Sequence, residues 1–229
     1  MINVFYRLSD GGYAKEKPHY VNNKKCLSNF ISNFKNENIN IIADNVSDET
    51  WEWIHGLPSF PILNVERTKL GSGAQSFNHA LDKVLDFDDD SVVYFVEDDY
   101  LHKENSSKVL LEGIKLGADY VTLYDHPDKF INGINPYVSD GGEDTKVFLT
   151  DSCHWKLTNS TTMTFASTVK VLKDDKDIIK KWTVGTHPND FEMFVELRNK
   201  GKSLISPLPG YSTHGETAFL SPLTNWEKV

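Results

Sequence analysis

The period of the apolar positions changes repeatedly along the chain, and each change predicts a switch between strand and helix. Ile2 to Tyr6 is a short apolar run that predicts a first strand. It leads into Ser9-Asp10-Gly11-Gly12, whose glycines permit a tight turn or a close ligand approach. Leu27, Phe30, Ile31 and Phe34 then share one helical face, with Asn22 or Asn23 as the cap. Ile39 to Ala43 returns to strand and ends at Asp44-Asn45. Ser47 caps a short helix with Asp48 and Glu49 in its first turn, where the dipole favours acids, and with Trp51 and Ile54 inward. Pro58 and Pro61 bracket the exit to a third strand, Ile62 to Val65. Gly71-Ser72-Gly73 reads as a turn leading to Ser76, after which Phe77, Ala80, Leu81, Val84 and Leu85 fit a helical face without a miss.

Val92 to Val96 is a continuous run of β-branched and aromatic residues, the pattern of a strand buried on both faces. A helix from about Asn105 to Leu116, closed by Gly117, and a strand from Asp119 to Tyr124 follow it. This alternation predicts an α/β fold of three layers on a mainly parallel central sheet. Beyond Asp125 the pattern breaks at Pro127, Gly133, Pro136, Gly141 and Gly142. Strand-like runs at Lys146–Thr150 and Thr161–Ala166 flank Trp155. Helices over Val169–Trp182 and Phe191–Lys200 and a last strand at Leu204-Ile205 complete the expected elements. With no internal repeat and no linker, one domain is expected over 1–229.

The 229 residues include 13 Phe, 9 Tyr and 5 Trp, enough for a substantial core, and the net charge of −9 argues against nucleic acid as a partner. Cys26 and Cys153 form no ligand pair and fit a reducing compartment, though their spacing leaves a single disulfide open. No basic segment with a long apolar stretch follows Met1, and no run reaches the ~20 apolar residues of a membrane span. The expectation is a soluble, cytoplasmic protein.

The candidate chemistry sits where the buried strand ends, at Glu97-Asp98-Asp99. Ligands of open α/β sheets bind at the carboxyl ends of strands. Three adjacent acids repel one another, and a hard cation between them relieves the repulsion. Asp86, Asp88, Asp90 and Glu97 have the spacing of a calcium loop, but Ser91 replaces the required glycine and the later positions are the apolar strand.

This set of strands and acids resembles the GT-A (Rossmann-like) fold of nucleotide-sugar-dependent glycosyltransferases, over Asn3 to about Glu216, and the resemblance implies a nucleotide-binding half to about residue 125 and an acceptor/catalytic half from about 126 to 229. The resemblance places a D-x-D-type motif at Glu97-Asp98-Asp99, with Glu in place of the first Asp. It implies that Glu97 and Asp98 lie near the ribose and metal, and that Asp99 ligates Mn²⁺ or Mg²⁺ holding the sugar diphosphate. It also implies nucleotide contacts from Asp44 and from the loop Arg7 to Gly12, and matches Gly71–Asn78 to a helix start preceding the motif. His214, in Tyr211-Ser212-Thr213-His214-Gly215-Glu216, matches a late metal ligand. Asn189-Asp190 resembles the acidic pair of inverting members, with Asn where Glu is frequent, and makes Asp190 the general base. Glu192 lies about 200° from it round the helix, so the two acids do not share a face. A helix-terminal position is expected to keep Asp190 ionised.

The implied activity is metal-dependent transfer of a sugar from a nucleotide diphosphate, a UDP-sugar first, to a glycan or other acceptor with inversion, as in polysaccharide biosynthesis. Two other readings stay open. One is a nucleotidyltransferase on a related sheet, although the glycine- and arginine-rich loop of such enzymes is lacking after the first strand. The other is a non-catalytic sugar-binding module that stacks Trp155, Trp182, Tyr211 and Trp226 on carbohydrate.

Overall fold

In the computed structural model, residues 1–11 and 15–229 are described, with Pro61 described by its backbone alone. Gly12, the last position of the predicted nucleotide loop, lies outside the described residues.

The parallel half of the main sheet consists of β1 (Ile2–Leu8), β2 (Asn38–Asp44), β3 (Asn64–Thr68) and β4 (Val92–Glu97), in the order β3-β2-β1-β4. Helices α1 (Asn23–Phe34), α2 (Asp48–His55) and α3 (Gly73–Val84) make the crossovers. The chain then forms β5 (Tyr100–His102), α4 (Ser106–Lys115), β6 (Tyr120–Val121), β7 (Val147–Leu149), β8 (His154–Leu157) and β9 (Phe165–Thr168). It ends through α5 (Val169–Trp182), α6 (Asp190–Asn199), β10 (Leu204–Leu208) and β11 (Ser212–His214). Beyond β4 the sheet continues β9-β6-β10-β8-β7, so it is mixed: β9 runs antiparallel to β4 and β6, and β10 lies parallel to β6.

Side chains leave a strand on alternate faces, and that alternation separates two cores. Val4, Tyr6, Tyr94 and Val96 pack with Leu27, Phe30 and Phe34 of α1 and Val109 and Leu110 of α4. Phe5, Val93, Phe95 and Phe165 face the other way, against Phe77, Ala80 and Leu81 of α3 and Met193, Phe194 and Leu197 of α6. Val93 to Val96 are fully buried, so β4 is covered on both faces as its sequence predicts. At ~1.5–3 kcal/mol for each large apolar side chain removed from water, β4 is a firmly anchored strand on whose end a site can be built.

Several boundaries differ from the sequence expectation. The third strand lies at Asn64–Thr68 because Phe60–Ile62 forms a 3-10 turn, and this edge strand needs no continuous apolar run. Helix α3 starts at Gly73 rather than near Ser76, since the Ser72 side chain accepts from the Gln75 amide and caps it. The strand expected over Asp119–Tyr124 contracts to Tyr120–Val121, and that expected over Thr161–Ala166 moves to Phe165–Thr168. Strand β8 was hidden by Lys156, a buried residue whose ammonium pairs with Asp125 at 3.1 Å. Cys26 and Cys153 are free thiols. Among the described residues no helix is long and apolar enough to cross a membrane.

A two-stranded ribbon of β5 and β11 has no periodic signature because each strand is three residues long. Its register pairs Tyr100 with His214 and His102 with Ser212. That ribbon turns the chain leaving β4 back against the C-terminal segment and positions the site.

Candidate active site

A cavity of about 800 Å³ opens at the carboxyl ends of β1, β2 and β4, and Arg7, Asp44, Glu97, Asp98, Asp99, Asp190 and His214 all line it. Residues from both ends of the chain therefore face one cleft, each delivered by a strand end or helix start.

The pairing of β1 with β4 puts Arg7 opposite Glu97, and the buried guanidinium lies 3.5 Å from its carboxylate. Arg7 also donates to the carbonyls of Gly73 and Met163. Thr164 Oγ1 donates to Glu97 Oε2 at 3.3 Å. This pair braces the floor of the cleft. Asp98 Oδ2 accepts from the Ser9 amide at 2.7 Å and ties down the loop after β1. Burial and the neighbouring Asp99 push the Asp98 carboxyl up to about 7.

Asp99 and His214 meet across the ribbon, with Oδ2 and Nε2 3.3 Å apart. Gly215 permits this approach: a Cβ there would stand 2.6 Å from the Asp99 carbonyl oxygen and would strike Val21 as well. Lys17 Nζ lies 3.2 Å from Asp99 Oδ2, and Lys15 Nζ lies 3.4 Å from the same oxygen and 2.9 Å from His214 Nε2. An ammonium is a donor only, so at 2.9 Å His214 Nε2 accepts. Two lone-pair atoms thus converge on a cation. Burial alone would raise the Asp99 carboxyl, but the Lys15 and Lys17 ammoniums at its Oδ2 help hold the group well below the usual carboxylate range.

Whether this pair suits a divalent ion can be tested on its own atoms. The 3.3 Å separation is near the ~3.0 Å between neighbouring ligands of an octahedral ion with ~2.1 Å bonds. The donor set, one carboxylate and one imidazole, suits Mn²⁺ or Mg²⁺ completed by phosphate oxygens and water. The Lys15 ammonium is a stand-in cation at that place. Among the described residues no cluster of three or more His, Cys, Asp or Glu side chains gathers as a complete cage. The pair fits an ion that arrives with its other ligands.

Asp44 is buried and its carboxylate is fully used. Oδ1 accepts from Thr68 Oγ1 at 3.0 Å and the Leu70 amide at 2.6 Å, while Oδ2 accepts from the Gly71 amide at 3.2 Å and Asn45 Nδ2 at 3.0 Å. It lines the cleft and at the same time holds the β3–α3 loop in shape. Asp44→Ala leaves two loop amides without their acceptor and should cost about 2–3 kcal/mol in urea unfolding. A variant of unchanged stability would show that the loop holds its shape without this carboxylate.

Asp190 stands at the N-terminus of α6, and its Oδ1 accepts from the Phe191 amide at 2.7 Å. Burial, and after it the charge of Glu97, push its carboxyl up to about 7, so the helix terminus does not keep it fully ionised as expected. Glu192 is exposed, consistent with its position round the helix. Asp190 and Thr162 also line a second cavity of about 250 Å³, bounded as well by residues of the 126–136 segment and by Phe191 of α6.

Lys15, Lys17 and Thr162 escaped the sequence reading. The lysines sit in a connection without periodicity, and Thr162 lies in a threonine run that reads as strand. The aromatic residues of the binding-module reading are largely committed elsewhere. Trp155 and Trp226 are buried, and Trp182 donates to Glu196 at 2.6 Å.

No protein-family sequence model matches the chain, and no characterised protein matches it by sequence. Solved structures do match. A crystal structure of GalNAc-T7 with UDP, GalNAc and Mn²⁺ superposes with a TM-score of 0.59 at 11% identity, over 93% of this chain and 43% of that one. S. aureus TarS 1–349 in complex with UDP-GlcNAc gives 0.54 at 12% identity, over 99% of this chain and 60% of that one. TarS 1–349 gives 0.51 at 13% identity, over 89% and 57%. This chain therefore spans about half the length of the chains it resembles. The protein has the GT-A fold of glycosyltransferases, with a mixed, largely parallel central sheet.

Proposed function

We propose that the protein is a glycosyltransferase that moves a sugar from a nucleotide-diphosphate donor, UDP-linked first, to a glycan acceptor with inversion at the anomeric carbon. The observation that carries this reading is the position of Asp190, a carboxylate poised near 7 that lines both cavities. UDP in the GalNAc-T7 structure and UDP-GlcNAc on TarS support the donor class.

In this reading the larger cleft takes the nucleotide, between the loop after β1 and the Asp44-anchored loop before α3. Asp99 Oδ2 and His214 Nε2 would hold Mn²⁺ or Mg²⁺, which when bound neutralises the diphosphate leaving group. Arg7 braces Glu97, and Asp98 fixes the Ser9 loop, so the cleft floor is set before the donor arrives. Asp190 accepts the proton of the acceptor hydroxyl as that oxygen bonds to the anomeric carbon. The bond from that carbon to the phosphate oxygen breaks, and the diphosphate leaves with the electron pair.

Thermal shift with UDP, with and without Mn²⁺, tests the reading together with the anomeric configuration of the product. Metal-dependent stabilisation by UDP is expected, whereas stabilisation by free glycans alone would return the protein to the binding-module class. The Lys15 ammonium competes with the ion for the same two atoms. Lys15→Met should therefore tighten Mn²⁺ binding by ~10-fold, the gain from removing about 1.4 kcal/mol of like-charge competition. Titration calorimetry without nucleotide measures it, and equal or weaker affinity would show that Lys15 and the ion do not compete.

A further inference from the structure

The smaller cavity has a mixed lining: His126, Asp128 and the hydroxyl residues Ser160, Thr161 and Thr162 form its polar part, and Ile134, Pro136, Phe191 and Phe219 its apolar part. The His126 and Phe219 rings lie against each other, with centroids 5.4 Å apart. Behind the polar part is a buried network. Asp128 Oδ2 accepts from Lys129 Nζ at 3.0 Å and Asn135 Nδ2 at 2.9 Å, and the Asp128 amide donates to His126 Nδ1 at 3.1 Å. Lys129 Nζ also donates to Ser160 Oγ at 2.8 Å, and Ser160 Oγ donates to Asn159 Oδ1 at 2.9 Å. Asp128, Lys129, Asn135, Asn159 and Ser160 are all buried. Such a network is costly to enclose, and an apolar core would fill the space as well. Its arrangement therefore calls for a reason beyond folding.

We propose that this cavity seats the acceptor, and that the acceptor enters it as a single neutral sugar ring. The inference rests on the transferase reading and specifies its second substrate. A pyranose has hydroxyls round its edge and an apolar C–H face, which matches a lining that combines hydroxyls and an imidazole with aromatic rings. With His126 Nδ1 engaged by Asp128, Nε2 is the ring nitrogen left to meet a hydroxyl. The volume of about 250 Å³ falls below the ~300 Å³ at which small-molecule sites begin, so it takes one ring and not two. Charge narrows the class further. The carboxylates of Asp128 and Asp190 line the cavity, and the Lys129 ammonium is already spent on Asp128 and Ser160. A phosphorylated or carboxylated ring meets repulsion there.

Saturation-transfer NMR with the methyl glycosides of glucose, galactose and N-acetylglucosamine tests the proposal, with glucose 6-phosphate and a serine/threonine peptide as the other classes. At least one methyl glycoside should bind the wild type. Phe219→Ala, at the rim in a short turn, and His126→Ala should each weaken it about tenfold, and the UDP affinity of both variants should stay unchanged. The proposal is overturned if no glycoside binds, if both variants bind it like the wild type, or if the peptide or the sugar phosphate binds more tightly. A UDP titration on the same samples separates the two levels. Absence of UDP binding removes the transferase reading, whereas the cavity is judged by the glycoside and the Phe219 and His126 variants alone.

Discussion

Asp190→Asn should lower turnover by ~10²–10⁴-fold while UDP affinity stays as in the wild type, the range expected when a positioned general base is lost. The side chain keeps its shape and an oxygen for the Phe191 amide, so helix α6 should start as before. What disappears is the atom that takes the proton. The pH dependence makes the test specific. Burial and Glu97 push the Asp190 carboxyl up to about 7, and the base is the ionised form. The wild-type rate should therefore climb about tenfold per pH unit below that value and level off above it. The amide variant should lose this limb along with its activity. Glu192→Gln is the control, since Glu192 is exposed on another face of the helix. Retained anomeric configuration, or near-normal turnover in Asp190→Asn, would assign the proton transfer elsewhere.

The parallel half of the fold was readable because its signals are local. Asn22 and Ser47 cap the helices they were expected to cap, and Val93–Val96 of the expected run are buried on both faces as its composition requires. The second half was less readable for physical reasons that can be named. Strand β8 carries a buried lysine, so its alternation looks polar at the position that matters. Ribbon β5/β11 is too short to show a period, yet it decides which residue meets Asp99. The seven candidate site residues fall on one cavity because strand ends converge, and the resemblance to the GT-A fold supplied that convergence. Spacing alone did not. Asp44 shows the limit of reasoning by position: an acid at a strand end lines the cleft, but its oxygens are saturated by its own loop. Lys15 and Lys17 were invisible because charge in an irregular connection has no pattern to break.

Asp99→Asn should abolish the dependence of UDP binding on Mn²⁺. Loss of partners behind a metal ligand already costs ~10–100-fold in affinity, and removing a charged ligand should cost at least ~10²-fold. The side chain is buried, and its Oδ2 is the point on which Lys15, Lys17 and His214 converge within 3.4 Å. An amide of the same size presents an oxygen without charge, and the cations around it lose their counter-ion. His214→Ala should be milder, at ~10–100-fold, because the carboxylate survives. Acid stability supplies a readout independent of any ligand. The Asp99 carboxyl is depressed in the folded state, so the unfolded chain binds its proton first as pH falls. The stability it contributes is therefore complete above ~4 and is lost progressively below that, as pH falls toward the folded value. Asp99→Asn should start less stable at neutral pH and lose less than the wild type does as the solution is acidified from about pH 5 to about pH 2. If the UDP affinity of this variant still rises on adding Mn²⁺, the ion is held by other groups and the pairing of Asp99 with His214 serves Lys15 and Lys17 alone.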